Sequence, residues 1–465
     1  MQYSNDSKLL LDAEQYLSSK PVPLARKAGE PVRTAPKQGA PMGRLPSGPQ
    51  RACFFAVCVY FLSGFANEFA FRFIHAKAYI STVALLALPL FFIATGRARY
   101  GLRATFGRWL LAFGVWLAIC APFSVWKSDT LNVLLNYYLR SFLLYFVICA
   151  CIVSIRQLKV LMYVMAVGNV LVLLSCLAFG TIQNGRFAVP GSIFSFLSNS
   201  NELGLQLLLG IIYFLFVLLC ARQLLAKICA TVGIALSALY MLKTGSRGTF
   251  VAALSVILVY FIVSQKKLKF AAIILPCALV SLFLIPSEAL HRLTYIAIGN
   301  KEVTVSNQED VSALESQRQR QQLFWDSVAL TLQHPVFGIG PGEFPVADAH
   351  QSEQKGDVAM WRQPHNSYTQ VSSEAGIPAL IFYLCCLITC LRLNYRMHKE
   401  TSRRPELKNH AAVSLCTLLC IVAYMIDTIF DQLAYFSYVP ILGGITVALS
   451  LILQPTLQTA NGDRS

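Results

Sequence analysis

Charge is scarce in this chain. Asp, Glu, Lys and Arg make up 13% of its 465 residues, where a soluble globular chain carries roughly 25%. With 55% hydrophobic residues, that shortage excludes an ordinary soluble domain. Acids are the scarcer sign, 23 against 39 Lys and Arg. No Asp-x-Asp pair or acidic cluster occurs, so no divalent-cation site is expected. No glycine loop ends in Lys-Ser/Thr, and Gly338–Gly342 precedes no nucleotide fold. Residues 1–51 lack an apolar h-region, so a cleavable signal peptide is not expected. No metal-ligand cysteine pattern is present either. All 14 cysteines, such as Cys53, Cys149, Cys385 and Cys390, fall in apolar runs. They read as small buried hydrophobes, with no disulfide framework and no zinc.

What the chain has instead is long apolar runs. They recur from residue 52 onward at lengths near 20 residues, enough to cross a bilayer core of roughly 30 Å. Twelve spans are predicted, at about 52–70, 77–95, 108–126, 134–154, 158–178, 202–221, 225–243, 248–264, 269–286, 367–391, 411–430 and 432–453. The fold class is therefore an all-α membrane protein of about twelve transmembrane helices. Residues 1–51, rich in Pro, Gly and Lys/Arg, read as a disordered tail, and 454–465 as a second tail.

The formal charge of +16 raises nucleic acid as a partner, but its placement argues against one. The basic residues cluster in every second short loop: Arg97, Arg99, Arg103 and Arg108; Arg156 and Lys159; Arg222 and Lys227; Lys266, Lys267 and Lys269; Arg392 through Lys408. This is the orientation signal of a membrane protein. It puts both termini in the cytoplasm and residues 287–366 outside. An 80-residue connection is too long for a plain loop. It holds an expected helix at about Ser312–Gln333, with Phe324, Val328 and Leu332 on one face. His334-Pro335 ends that helix. The loop reads as a cap over a cavity in the spans.

The same orientation brings three basic residues to the outer side. Arg247, in Gly245-Ser246-Arg247-Gly248, sits where two spans almost touch. An ionisable residue at membrane depth is costly and points to function, although a snorkelling anchor is the alternative. Ser246 adds a donor beside it. Arg186 lies in an apolar segment, Thr181–Ser200, broken by Gly and Pro, which reads as re-entrant or cavity-lining. His365 stands where the long loop re-enters the membrane, and a neutral imidazole there can take a proton from a hydroxyl. Arg140, Asn366 and Arg362 join Ser246 as candidate substrate-binding residues. Glu374, about 2.5 turns past His365, faces away from it and takes a structural or pocket role. Asn199 and Asn201 read as helix caps. Asp427 and Asp431 fit a site role or an intrabundle ion pair equally. Arg318 and Arg320 read as a solvated face. Together these residues suggest a site for an anionic, lipid-carried substrate.

Several motifs carry a resemblance. They are His334-Pro335-Val336-Phe337-Gly338-Ile339-Gly340-Pro341-Gly342-Glu343-Phe344, His365-Asn366-Ser367-Tyr368, Glu374-Ala375-Gly376-Ile377-Pro378, and Ser246-Arg247-Gly248. Together they resemble the O-antigen ligase/polymerase family of bacterial envelope proteins. His334 departs from the Asn-Pro expected at that position. The resemblance implies a twelve-span bundle of GT-C type in the bacterial inner membrane. It implies transfer of a glycan from undecaprenyl pyrophosphate to an acceptor at the outer face, without metal or cofactor. Arg247 and Arg186 would hold the diphosphate and His365 would activate the acceptor. The partners implied are the lipid-linked glycan, a lipid A core or second lipid-linked glycan, and membrane lipids. A ligase is favoured over a polymerase. A transporter fits less well, because the paired broken helices of transporters are not seen.

Overall fold

The computed structural model of the protein describes residues 46–74, 89, 92–93, 95–183, 185–264, 308–354, 356 and 358–462. Two of the twelve expected spans, at 77–95 and 269–286, lie wholly or almost wholly outside these residues. The described residues are mostly helical. Helix α1 (Gly48–Ile74) is followed by α2 (Ala98–Arg103), α3 (Thr105–Cys120) and a 3-10 turn at Ala121–Phe123. The next span is assembled from α4 (Lys127–Val133), a π turn at Leu134–Tyr138 and α5 (Leu139–Cys151). Then come α6 (Ile155–Phe179), a two-stranded hairpin of β1 (Thr181–Gln183) and β2 (Arg186–Ala188), α7 (Ser195–Ser198), α8 (Ser200–Cys220), α9 (Leu224–Lys243) and α10 (Arg247–Val263). Beyond residue 307 follow α11 (Gln308–Gln333), α12 (Phe344–Gln354), α13 (Ser367–Thr401), α14 (Lys408–Asp427) and α15 (Tyr438–Gly462). Nine helical stretches among the described residues are long and apolar enough to cross a membrane, and the 17-residue α10 is a shorter apolar helix.

Helix α14 is the hub. It packs against α13, α10, α8, α15 and α6, and 72% of its apolar window is buried against 22% for α9. A helix buried on every side belongs at the centre of a bundle, and Ala412–Tyr424 of α14 is buried without a break. The chain beyond its end is therefore also central. The last span was expected from residue 432, but the helix starts at Tyr438. Residues 428–437 form a turn instead, and Pro440 falls in the first turn of α15, where a missing N–H does no harm. At its other end α15 continues to Gly462, past the expected end at 453.

The long loop is fastened to a break in α13. Gly376 has φ 80, and Pro378 follows it inside the helix. The break frees backbone groups, and the loop answers them. Ile339 N–H donates to Ser373 O at 3.0 Å, Gly340 N–H to Glu374 O at 2.8 Å, and Ile377 N–H to Pro335 O at 2.8 Å. The Glu374 carboxylate accepts from the N–H groups of Gly342 (2.9 Å) and Phe344 (3.4 Å). A Cβ on Gly376 would lie 2.0 Å from Val336 O, so the close approach requires glycine. Glu374 is thus a buried tether for the loop.

The loop helix α11 buries a different face from the one expected. Leu332 is 73% exposed and Phe324 and Val328 are only half-buried, while Leu323, Ser327, Leu330 and Thr331 are buried. The expectation followed the apolar residues alone. Ser327 and Thr331 bury readily because their hydroxyls donate within the helix, to Phe324 O and Ser327 O, both at 2.8 Å. Thr331 Oγ1 also lies 2.9 Å from Ser372 Oγ on α13. The buried stripe has spacing 323, 327, 330. Extended three residues toward the N-terminus, it reaches Arg320.

Candidate functional site

The outer end of the bundle is built around the turn after α14. The β hairpin delivers Arg186. Its register pairs Gln183 with Arg186, and Gly185 takes φ 67 in the tight turn, as two-residue hairpin loops require. The Arg186 guanidinium donates from Nε to Thr244 O at 3.2 Å and from Nη2 to Asn201 Oδ1. Thr244 caps the C-terminal end of α9, where carbonyls lack helical partners and a cation is favoured. Asn199 caps α8 by accepting from Asn201 N–H at 3.0 Å. Asn201 turns its own side chain to Arg186 rather than capping.

Arg247 opens α10. Ser246 is its cap, accepting from Thr249 N–H (3.4 Å) and Thr249 Oγ1 (3.0 Å). Thr249 Oγ1 also lies 2.8 Å from Asp427 Oδ1, and Gly248 packs on the side chain of Phe430. The backbone on either side of Arg247 is therefore joined to this corner. Thr244 receives Arg186 on one side, and Gly248 and Thr249 meet the end of α14 on the other. Arg247 itself is half-buried.

His365 sits on a fixed ledge. Its φ is 49, the single positive value at a non-glycine among the described residues. Such backbone persists only where neighbours dictate it, and it concentrates at functional sites. Here both flanks are clamped. Arg362 grips Asp348 of α12 with Nε (2.8 Å), Nη2 (2.7 Å) and its backbone N–H (3.1 Å). Asn366 caps α13, accepting from the N–H groups of Tyr368 (2.9 Å) and Thr369 (3.0 Å), and its Nδ2 donates to Ile429 O at 3.0 Å. Ser367 N–H donates to Thr428 O (2.9 Å) and Ser367 Oγ to Asp431 O (2.8 Å). Arg362, Asn366 and Ser246 thus have structural work that sequence alone did not show. Arg140 is exposed, donating to Asn136 Oδ1 at 3.4 Å, and no contact described here links it to this corner.

Electrostatics show what surrounds the imidazole. Burial, then the guanidinium groups of Arg320 and Arg186, push His365 down to about 4, with Gln432 acting the other way. Gln432 is close, yet His365 Nδ1 is buried with no well-formed hydrogen bond among the described residues. Asp431 is pushed up to about 7, by burial and by Glu202, while the Gln432 N–H, Arg320 and Arg186 oppose the rise. Burial also lowers Arg320, offset by Asp431. Two arginines, from β2 and α11, therefore act on both His365 and Asp431. Asp431 Oδ2 and Asp427 Oδ2 are buried without partners among the described residues. This corner gathers two guanidinium groups and buried acids around one imidazole.

Arg320 corrects the sequence reading. It was placed on a solvated face with Arg318. Arg318 is exposed, but Arg320 is half-buried and near His365. The signal was its spacing from the buried stripe of α11, obscured because two members of that stripe are Ser and Thr.

Residues 232–384 match the family model described as O-antigen ligase. Over that third of the chain the protein is similar to the O-antigen ligase family. The match runs from within α9 to the middle of α13, so it takes in Arg247, Arg320, Arg362 and His365. Arg186, Asp427 and Asp431 of the same corner lie outside it. The matched stretch thus holds the loop side of this corner, and the flanking helices hold the rest. No curated protein matches the chain.

Proposed function

We propose that the protein transfers a glycan from undecaprenyl pyrophosphate to an acceptor hydroxyl at the outer face of the bacterial inner membrane. The favoured acceptor is a lipid A core sugar, as for an O-antigen ligase. In this reading both termini are cytoplasmic and the loop of residues 287–366 is periplasmic. What supports it is the pairing of Arg186 and Arg320 as the charged neighbours of a half-buried His365 whose Nδ1 is buried.

The chemistry follows from those groups. Breaking the sugar–phosphate bond leaves negative charge on a pyrophosphate. Guanidinium forks match phosphate oxygens in two-point fashion, and preorganised donors in a water-poor site stabilise charge as it develops. His365 takes the acceptor proton. Its basicity is lowest in the free site, where two cations face it. A bound diphosphate offsets them and restores basicity when a base is needed. Attack at the sugar carbon opposite the leaving diphosphate inverts the anomeric configuration.

Membranes holding the protein, supplied with an undecaprenyl-pyrophosphate-linked glycan and a lipid A core acceptor, test this directly. Glycan on lipid A is expected. Lengthened lipid-linked chains would make it a polymerase, and no transfer to either acceptor would reject the transferase reading.

The pH dependence of kcat/KM reports the free enzyme. His365 is charged below about 4 and neutral above it, so the acid limb should fall near 4. A limb near 6.5, the ordinary histidine range, would contradict the site. Asp431 is neutral below about 7 and ionised above it. Ionisation adds negative charge facing an anionic donor, next to Glu202, Arg186 and Arg320. Activity should therefore decline above about 7, and Asp431→Asn should remove that decline.

A further inference from the structure

A second charged assembly lies on α1. Glu68 is 0% exposed. Its Oε1 accepts from Arg72 Nε at 3.0 Å, one turn along the helix. Its Oε2 accepts from Ser192 Oγ at 2.7 Å and from Ile193 N–H at 3.3 Å. Arg72 uses Nη2 to reach Pro190 O, and its guanidinium carbon lies 5.0 Å from the centre of the Phe179 ring. Among the described residues, the hydrogen bonds that this pair makes beyond its own helix go to Pro190, Ser192 and Ile193.

That segment begins four residues after Arg186. A hairpin with three-residue strands has little stability of its own. On its inner side Phe187 stacks near Tyr240, centroids 4.9 Å apart, and Arg186 reaches Thr244 and Asn201. On its outgoing side Val189 N–H donates to Leu197 O at 2.9 Å, and the α1 pair holds the bend between them. The same segment ends at Ser195, whose Oγ donates to Glu202 Oε2 at 2.9 Å. A buried carboxylate this fully used is a costly feature. Arg72 holds Pro190 and Glu68 holds Ser192 and Ile193, on the two sides of Gly191 in the bend that leads from Arg186 to Glu202.

We infer that Glu68 and Arg72 are positioning residues for Arg186, an ion pair on α1 that sets where its guanidinium meets the donor diphosphate. The inference rests on the transferase reading above. The pair touches no reacting atom; it acts through the Pro190–Ile193 bend.

The test is binding of undecaprenyl pyrophosphate, without sugar, to purified full-length protein. Glu68→Gln keeps the shape and removes the charge. It should weaken binding about tenfold, since small misplacements of a binding group can cost up to about 10²-fold. In an Arg186→Gln background the same change should cost less than about twofold, because no guanidinium remains to misplace. Ser192→Ala, which breaks one strut and leaves the ion pair, should show a smaller loss with the same dependence on Arg186. The inference is overturned if Glu68→Gln costs as much without Arg186 as with it, or if Glu68→Gln and Ser192→Ala both bind like the unsubstituted protein. If Arg186→Gln alone leaves binding intact, the donor site is misassigned and the clamp falls with it, a result that a different variant reports.

Discussion

Replacing His365 with alanine lowers glycan transfer by about 10²–10⁴-fold, the range of a lost general base, in protein that still inserts. Every other group near the imidazole is unsuited to the task. Arg186 and Arg320 are cations, and Asp431 is a carboxyl that burial and Glu202 hold protonated up to about 7. The backbone complicates the alanine variant, because φ is 49 at this residue and alanine resists that region. Asn tolerates it. His365→Asn therefore keeps the ledge and removes the base, and it should be as inactive as His365→Ala. Transfer by His365→Asn within a few-fold of the unsubstituted protein would show that the ledge matters and the imidazole does not.

The second large effect is expected at Arg320. Arg320→Gln should reduce transfer by about 10²–10³-fold, the usual result of removing one donor to a developing oxyanion. The neighbouring Arg318→Gln should be nearly silent, as exposed substitutions are. Both changes remove one positive charge from the same helix, so long-range attraction of the anionic donor falls equally in the two. The difference between them isolates the half-buried guanidinium that acts on His365 and Asp431. Equal losses in the two variants would reduce Arg320 to a general electrostatic contribution.

Much of this arrangement was legible in the sequence. Apolar runs gave the helices, because bilayer thickness leaves few other options for a 20-residue apolar segment. Arg186 and His365 were legible as polar chemistry in apolar or re-entrant stretches. The rest was hidden for physical reasons. Asp431 fell between the last two expected spans, but the length of the turn it belongs to was hidden, and only the position of Pro440 hints that α15 starts as late as Tyr438. Arg320 reads as solvated because the stripe it extends includes Ser327 and Thr331, whose burial depends on hydroxyls bonding within the helix. Asn366 and Arg362 look like ligands by type and place, but their bonds hold the His365 ledge. Glu68 offered no signal beyond a lone acid near the end of a span. Its partners lie about 120 residues away, across a contact that periodicity cannot see.

The most direct test of the central claim is a structure of the full-length protein with undecaprenyl pyrophosphate bound. The account predicts diphosphate oxygens within about 3 Å of the guanidinium groups of Arg186 and Arg320, with the His365 imidazole facing the position of the transferred sugar. A diphosphate seated elsewhere in the bundle, with those two arginines still turned to Thr244, Asn201 and Asp431, would contradict it.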